Sequence, residues 1–269
     1  MKNTLAASAL LLLLMAAAPA VRGQSASSGT LRRWGSWGIA TLQLPSGGGH
    51  RWGAFAEVQV RTNATLFRQY FYHEVKGGVS YDLNPNITLL LGGGRYLTSD
   101  YQDLDAGPLI AEKRLWQQAV LSQYAKRLKL EHRYRAEQRW QSLRDGRREF
   151  RQRLRYRLNL FLPLNTPTVT GGTVFLSAYD EIFLNPKGPV FERNRVYVGA
   201  GYQFRQHWLV QVGWLRQANY TPASLQQGGF VPLSTVSKNN LVLNVVYRLS
   251  RAQRGDAPDE RQQLPSQQE

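Results

Sequence analysis

Between Phe150 and Leu162 the chain alternates almost without a break. Phe150, Gln152, Leu154, Tyr156, Leu158, Leu160 and Leu162 fall on one parity, and Arg151, Arg153, Arg155, Arg157 and Asn159 on the other. A period of two sustained over more than four residues predicts a β-strand with two unlike faces, here one oily and one cationic. The preceding segment repeats the pattern, with Leu128, Leu130, His132, Tyr134, Ala136 and Trp140 opposed to Lys129, Glu131, Arg133, Arg135, Glu137 and Arg139. Asp145-Gly146 between the two is a hairpin turn dipeptide. The pair therefore predicts a hairpin of two long amphipathic strands.

The same signature returns toward the C-terminus. Val196, Val198, Ala200, Tyr202 and Phe204 oppose Arg195, Tyr197 and Gln203; Trp208, Val210, Val212 and Trp214 oppose Gln211, Gly213 and Gln217; Leu241, Leu243, Val245, Tyr247 and Leu249 oppose Asn240, Asn244 and Arg248. Weaker alternation marks further strands over 37–44, 52–61, 70–83, 87–97, 112–124 and 173–184. Connectors such as 84–86, 125–127 and 205–207 are short, whereas 99–111, 185–192 and 221–238 read as longer loops. Aromatic residues gather at strand ends. Long strands, aromatic ends and two classes of connector are features of outer-membrane barrels. Lipid offers no hydrogen-bond partner, so a sheet in a bilayer must close on itself.

The fold expected is all-β: a transmembrane, antiparallel, up-and-down β-barrel. Eleven strands can be counted, but bacterial single-chain barrels have an even number. Twelve are therefore expected, with Ser25 to Arg33 supplying the last, or ten if an early segment is a loop. A secreted β-sandwich would alternate similarly, with the arginines as its wetted face. Strand length argues against it, because about 9 to 11 tilted residues already cross a bilayer.

The termini complete the outline. Met1-Lys2, an apolar run over 5–18 and small residues up to Gly23 read as a cleaved export signal over 1–23. The barrel is then expected over 24–250, and the polar, glutamine-rich residues 251–269 as a disordered tail. The location expected is the bacterial outer membrane, with lipid, lipopolysaccharide and the barrel-assembly machinery as partners.

The formal charge is +16 and the chain has no cysteine. Disulfides and thiolate metal sites are excluded. The basic residues are spread along the chain and dominated by arginine, which suits paired geometry and lacks the clustered footprint of a nucleic-acid binder.

"YDEIFLN" (179–185) followed by "FERNRVYVGAGYQF" (191–204) carries an E-x-F-x-N strand end and an N-R strand start. With "RLRYRLNL" (153–160) and "NPNITLLLGGGRYL" (84–97), these segments resemble a bacterial outer-membrane barrel family known as a domain of unknown function, family twenty-four ninety, over about Trp34 to Leu249. The resemblance implies architecture and location. It carries no activity.

The alternation assigns Arg133, Arg135, Arg151, Arg153, Arg155, Arg157 and Arg195 to the lumen, with Glu131, Glu137 and Glu181 among them. Glu57 and Glu74 are further candidate partners, and Glu181 with Arg195 is the expected strand-to-strand pair. Buried charges need water or counter-charges, and carboxylates are fewer than arginines. Two classes of function follow: a small anion-favouring pore lined by arginine, or a closed structural or adhesive barrel with a salt-bridged interior. A hydrolase is the third class. Its candidate histidines, His50, His73, His132 and His207, come with no G-x-S-x-G motif and no i, i+2 pair, so no catalytic residue, cofactor or metal site is expected. Finally, Arg139, Arg144, Arg147 and Arg148 near the central hairpin tip are candidate contacts for lipopolysaccharide phosphates.

Overall fold

A computed structural model describes residues 34–47, 49–64, 67–187, 191–205, 207–220, 225–226, 229–230 and 235–250. The expected leader, the candidate strand at Ser25 to Arg33 and the tail beyond 250 lie outside these residues.

Ten strands follow in order: β1 (Gly35–Leu44), β2 (Trp52–Ala64), β3 (Arg68–Asn84), β4 (Ile87–Asp100), β5 (Asp103–Ala125), β6 (Leu128–Leu143), β7 (Arg148–Pro163), β8 (Thr173–Leu184), β9 (Phe191–Phe204) and β10 (Trp208–Tyr220). A two-residue ribbon, β11 (Leu225–Gln226) with β12 (Gly229–Phe230), precedes the last strand, β13 (Thr235–Arg248). β1 to β10 and β13 form one closed barrel, each hydrogen-bonded to the next. The chain is all-β and the barrel has eleven strands.

This count corrects the expectation of twelve, and the closing seam explains how. With an odd number of strands the first and last run the same way, and β1 pairs with β13 in parallel from Gly35↔Asn240 to Gln43↔Arg248. All the other barrel pairs are antiparallel. Slanted parallel bonds are slightly weaker per residue, but the seam leaves no unpaired edge. A second correction concerns 99–111. The Asp, Gly and Pro content there reads as a loop, yet β4 and β5 continue as a ladder to Asp100↔Asp103, with register shifts beside Ser99.

The seam places Gly35 at one rim and Arg248 at the other. The rim holding Arg248, here the near rim, carries the turns at 85–86 and 126–127, the segment 164–172, and the ends at which β1 leads to β2 and β9 to β10. The far rim carries 101–102, 144–147 and the connection between β8 and β9.

The wall has two chemistries. Leu42, Val58, Val75, Val79, Leu89, Leu91, Leu115, Leu154, Leu176, Val198, Val212, Leu241 and Leu243 are exposed on the outside. Aromatic pairs mark both rims: Trp52–Tyr81 (ring centres 4.9 Å apart) and Trp208–Tyr247 (4.7 Å) at the near rim, Trp140–Phe150 (5.5 Å) and Phe191–Tyr220 (4.7 Å) at the far one. Along β10, Trp208 to Tyr220 covers about 40 Å at roughly 3.3 Å per residue. A tilt of about 45° reduces that to roughly 28 Å of height, close to a hydrocarbon core.

Inside, eleven strands enclose more space than the eight whose side chains fill a small barrel, so long residues do the filling. Glycines let the largest lie flat. A Cβ on Gly92 would collide with the indole of fully buried Trp116, and one on Gly199 or Gly213 with the ring of Tyr197.

Candidate functional site

The alternation of β7 becomes a set of cross-strand rows once the register is known. Arg133 of β6, Arg157 of β7, Glu181 of β8 and Arg195 of β9 stand directly opposite one another in sequence, and Gln217 and Lys238 continue the row. The next row holds Arg135, Arg155, Phe183 and Arg193. Like charges directly opposite repel, so two arginine rows demand carboxylates between them.

Glu181 supplies the first. It is fully buried, and its Oε1 lies 2.6 Å from Nη2 of both Arg133 and Arg155, its Oε2 2.7 Å from Nη2 of Arg157 and 3.7 Å from Nη1 of Arg195. Glu137 is the second: Arg153 meets Oε2 at 2.6 Å and Arg155 meets Oε1 at 2.7 Å. Arg155 thus bridges both glutamates while its guanidinium covers the ring of Phe183 at 4.6 Å. Charge-assisted, multidentate bonds of this type are the strong ones.

Smaller knots lie on either side. Glu112 holds Arg114 and Arg139, each at 2.5 Å; Lys76 bridges Glu57 (2.7 Å) and Glu74 (2.6 Å); Lys129 meets Glu131 at 2.5 Å. Among the described residues ten buried cations face six buried carboxylates, so the interior keeps a positive excess.

The arginine layer separates two spaces. Toward the near rim a cavity of about 40 Å³ touches Glu57, Arg157, Asn159 and Asn244. Below it Phe161, Phe175, Leu209 and Val246 pack around Val169, which the 164–172 segment delivers into the lumen. Toward the far rim lies a cavity of about 270 Å³ whose lining includes Arg61, Arg193, Arg195, Lys238 and Gln59 together with the carboxylates Glu74 and Glu112.

Of the residues assigned to the lumen from sequence, Arg133, Arg135, Arg153, Arg155, Arg157, Arg195, Glu131, Glu137 and Glu181 are buried inside the barrel. Arg151 is not. Its side chain is 55% exposed beyond the far end of the lumen and pairs with Glu149 at 2.7 Å. Arg139, grouped with the hairpin tip, belongs inside on Glu112, because it shares the parity of Arg133 and Arg135.

Arg144, Arg147 and Arg148 are exposed at the tip, where Gly146 takes the left-handed φ of 87° that the turn requires. Arg144 donates to the Gly107 carbonyl, and Arg147 pairs with Asp145 at 2.7 Å. The Arg147 backbone N–H, and then its side chain, hold the Asp145 carboxyl below its usual range.

Sequence reasoning missed Arg61, Arg114 and Glu112, which have the right parity but sit in strands of weaker alternation, and Arg193, which shares the parity of Arg195 but precedes the clean alternation of its strand. It also missed Val169, whose only signal is a lone apolar residue in a Thr/Gly-rich segment.

The histidines remain apart. His73 hydrogen-bonds Tyr70, His132 meets Tyr156 at 2.9 Å on the outer face, and His207 contacts the Arg248 carbonyl at 3.0 Å. Beside the His132–Tyr156 pair the register places Leu158 and Ile182, with no serine there. No cluster of three metal-ligating side chains occurs among the described residues.

No curated protein and no solved structure matches the chain. One family model does match, over residues 34–228, and it takes in the arginine rows and both central glutamates. The chain belongs to the family described as protein of unknown function (DUF2490).

Proposed function

We propose that the protein is an outer-membrane β-barrel whose lumen is closed at rest. It is built as a rigid scaffold that presents a cationic vestibule and its far-rim segments to the outside of the cell. The apolar outer band between two aromatic rims supports the membrane location, because such a surface is costly in water and matches a bilayer in height. Lipid and the barrel-assembly machinery are then obligate partners, and lipopolysaccharide faces the far rim.

The observation that carries the closed reading is the layer of Arg133, Arg155 and Arg157 on Glu181, backed by the apolar packing around Val169. An ion crossing the lumen would have to break charge-assisted bonds and displace that packing. A second reading, an anion-favouring pore, draws support from the excess of buried cations, and it requires the 164–172 segment to withdraw. Catalysis is not part of the proposal.

Planar-bilayer recordings decide between the two readings. The wild type is expected to be silent across several salt concentrations. Discrete steps whose anion preference falls in Arg153→Glu and Arg155→Glu would establish the pore instead.

A further inference from the structure

The two cation groups inside the barrel differ in how their charge is met. Around Glu181 and Glu137 the closest guanidinium contacts lie at 2.6 to 2.7 Å. The 270 Å³ vestibule is also edged by closely paired cations such as Lys76, Arg114 and Arg139, but four of its cations come less near a carboxylate. Arg61 reaches Glu74 only at 3.6 Å, and Arg195 reaches Glu181 only at 3.7 Å. Among the described residues, Arg193 and Lys238 have no carboxylate within 4 Å: Arg193 donates to Asn219 at 2.6 Å, and Lys238 is held by Asn63.

Two donors on the same wall lack any acceptor, Nε of Arg61 and Nε2 of Gln59, and Gln59 is only 1% exposed. A buried donor left unmet costs about 1 to 3 kcal/mol, and both could be met by one acceptor-rich group in the cavity.

The cations are also held in place before anything binds. The Arg61 guanidinium lies 3.9 Å from the ring centre of Trp37 and 4.3 Å from that of Tyr72. Arg193 is fixed between Asn219 and the Phe183 ring. Each of these guanidiniums already spends one donor on a neighbouring amide, Arg61 on Gln59, Arg193 on Asn219 and Arg195 on Gln217, and preorganised, partly desolvated guanidiniums with donors to spare are suited to planar or tetrahedral oxyanions. The volume is near the lower end of small-molecule sites, roughly 300 Å³, and suits a ligand no larger than a phosphorylated monosaccharide.

From these observations we infer that the vestibule is a binding site for a phosphate-type oxyanion, held by Arg61, Arg193, Arg195 and Lys238 with Gln59 completing the donor set. The inference rests on the closed reading only in that the arginine layer forms the vestibule floor. The phosphate can come from a small soluble phosphomonoester or from a lipid headgroup entering at the far rim, and the recognition chemistry is the same.

The test is calorimetric titration of the full mature barrel, folded in zwitterionic detergent, with three probes: inorganic phosphate, glucose 6-phosphate and a short-chain phosphatidic acid. Saturable one-to-one binding is expected. It should weaken at least tenfold in Arg193→Met and in Lys238→Met, two variants whose thermal unfolding should stay close to that of the wild type, and weaken measurably in Gln59→Leu. Binding of the two soluble probes assigns a soluble ligand; binding of phosphatidic acid alone, lost in the same variants, assigns the headgroup. Absence of binding by all three, or binding indifferent to Arg193→Met and Lys238→Met, overturns the site. Phosphate-free bilayer recordings report separately on whether the lumen is closed, so the two readings fail independently.

Discussion

Two regions of one lumen use the same side chain to opposite ends. Around Glu181 four guanidiniums converge on a single carboxylate, and three of them spend close contacts of 2.6 to 2.7 Å on it within the fold. A short distance toward the far rim, Arg61 and Arg193 are buttressed by aromatic rings and amides, while carboxylates stay at 3.6 Å or beyond 4 Å. Arginine by itself therefore says little about function in a barrel interior. Where the nearest carboxylate sits, and what remains of its bonding capacity, distinguishes a strut from a binding group.

Replacing the carboxylate is the strongest way to break that comparison. Glu181→Gln takes from Arg133, Arg155, Arg157 and Arg195 the carboxylate they share, and removing one partner of a buried pair costs about 3 to 5 kcal/mol. Arg193→Met removes one hydrogen bond and a distant ring contact and relieves crowding of like charge, so about 1 kcal/mol is expected. Urea titrations of the refolded barrel, read by the mobility difference between boiled and unboiled samples, measure both. Equal losses would show that the two regions are one network and that the distinction is false.

Much of this was legible from residue types alone, and the limits have physical causes. Parity placed the β7 arginines and Glu181 on one face because a side-chain period of two leaves no alternative once a strand is granted. Parity also contained the answer for Arg139, whose apparent place at a turn outweighed its phase. It could not place Arg151, because a strand may outrun the lumen and carry an inward-phased residue into solvent. The even-strand rule failed at the β1–β13 seam, since a parallel closing pair leaves no mark on either strand's composition. The vestibule was the least visible part. Arg61, Arg193 and Lys238 come from β2, β9 and β13, and only the closed register brings them together.

The opposite face of the wall sharpens the contrast between a met and an unmet guanidinium. On β10, Gln211 points inward and donates to Ser177 at 3.2 Å, while its neighbour Val212 is 48% exposed on the apolar outside. An arginine at position 212 would have neither carboxylate nor water near the centre of a bilayer. Val212→Arg is expected to cost about 2 to 4 kcal/mol in lipid vesicles, and Trp208→Arg at the aromatic rim about 0 to 1 for the charge itself. Folding into vesicles of fixed thickness, followed by denaturant titration, compares the two. A cost independent of depth would mean that the band does not contact hydrocarbon and would remove the main support for the membrane location.

The smallest effect is expected where the arginines are most exposed. A phosphate clamp at the hairpin tip needs several free guanidinium forks converging on one anion. The fold takes Arg139 away to Glu112, turns Arg144 back onto the Gly107 carbonyl and pairs Arg147 with Asp145. What remains is wetted on every side, and exposed pairs of this kind are screened by salt. Arg144→Gln combined with Arg148→Gln should therefore lower association with lipopolysaccharide micelles less than threefold, with the remainder abolished by moderate salt. The vestibule variants lose a partly desolvated contact and should respond far more steeply. A tenfold or larger loss in the tip variant, persisting at high salt, would move the principal anion-binding surface from the lumen to the hairpin and reverse the roles assigned to the buried and the exposed arginines.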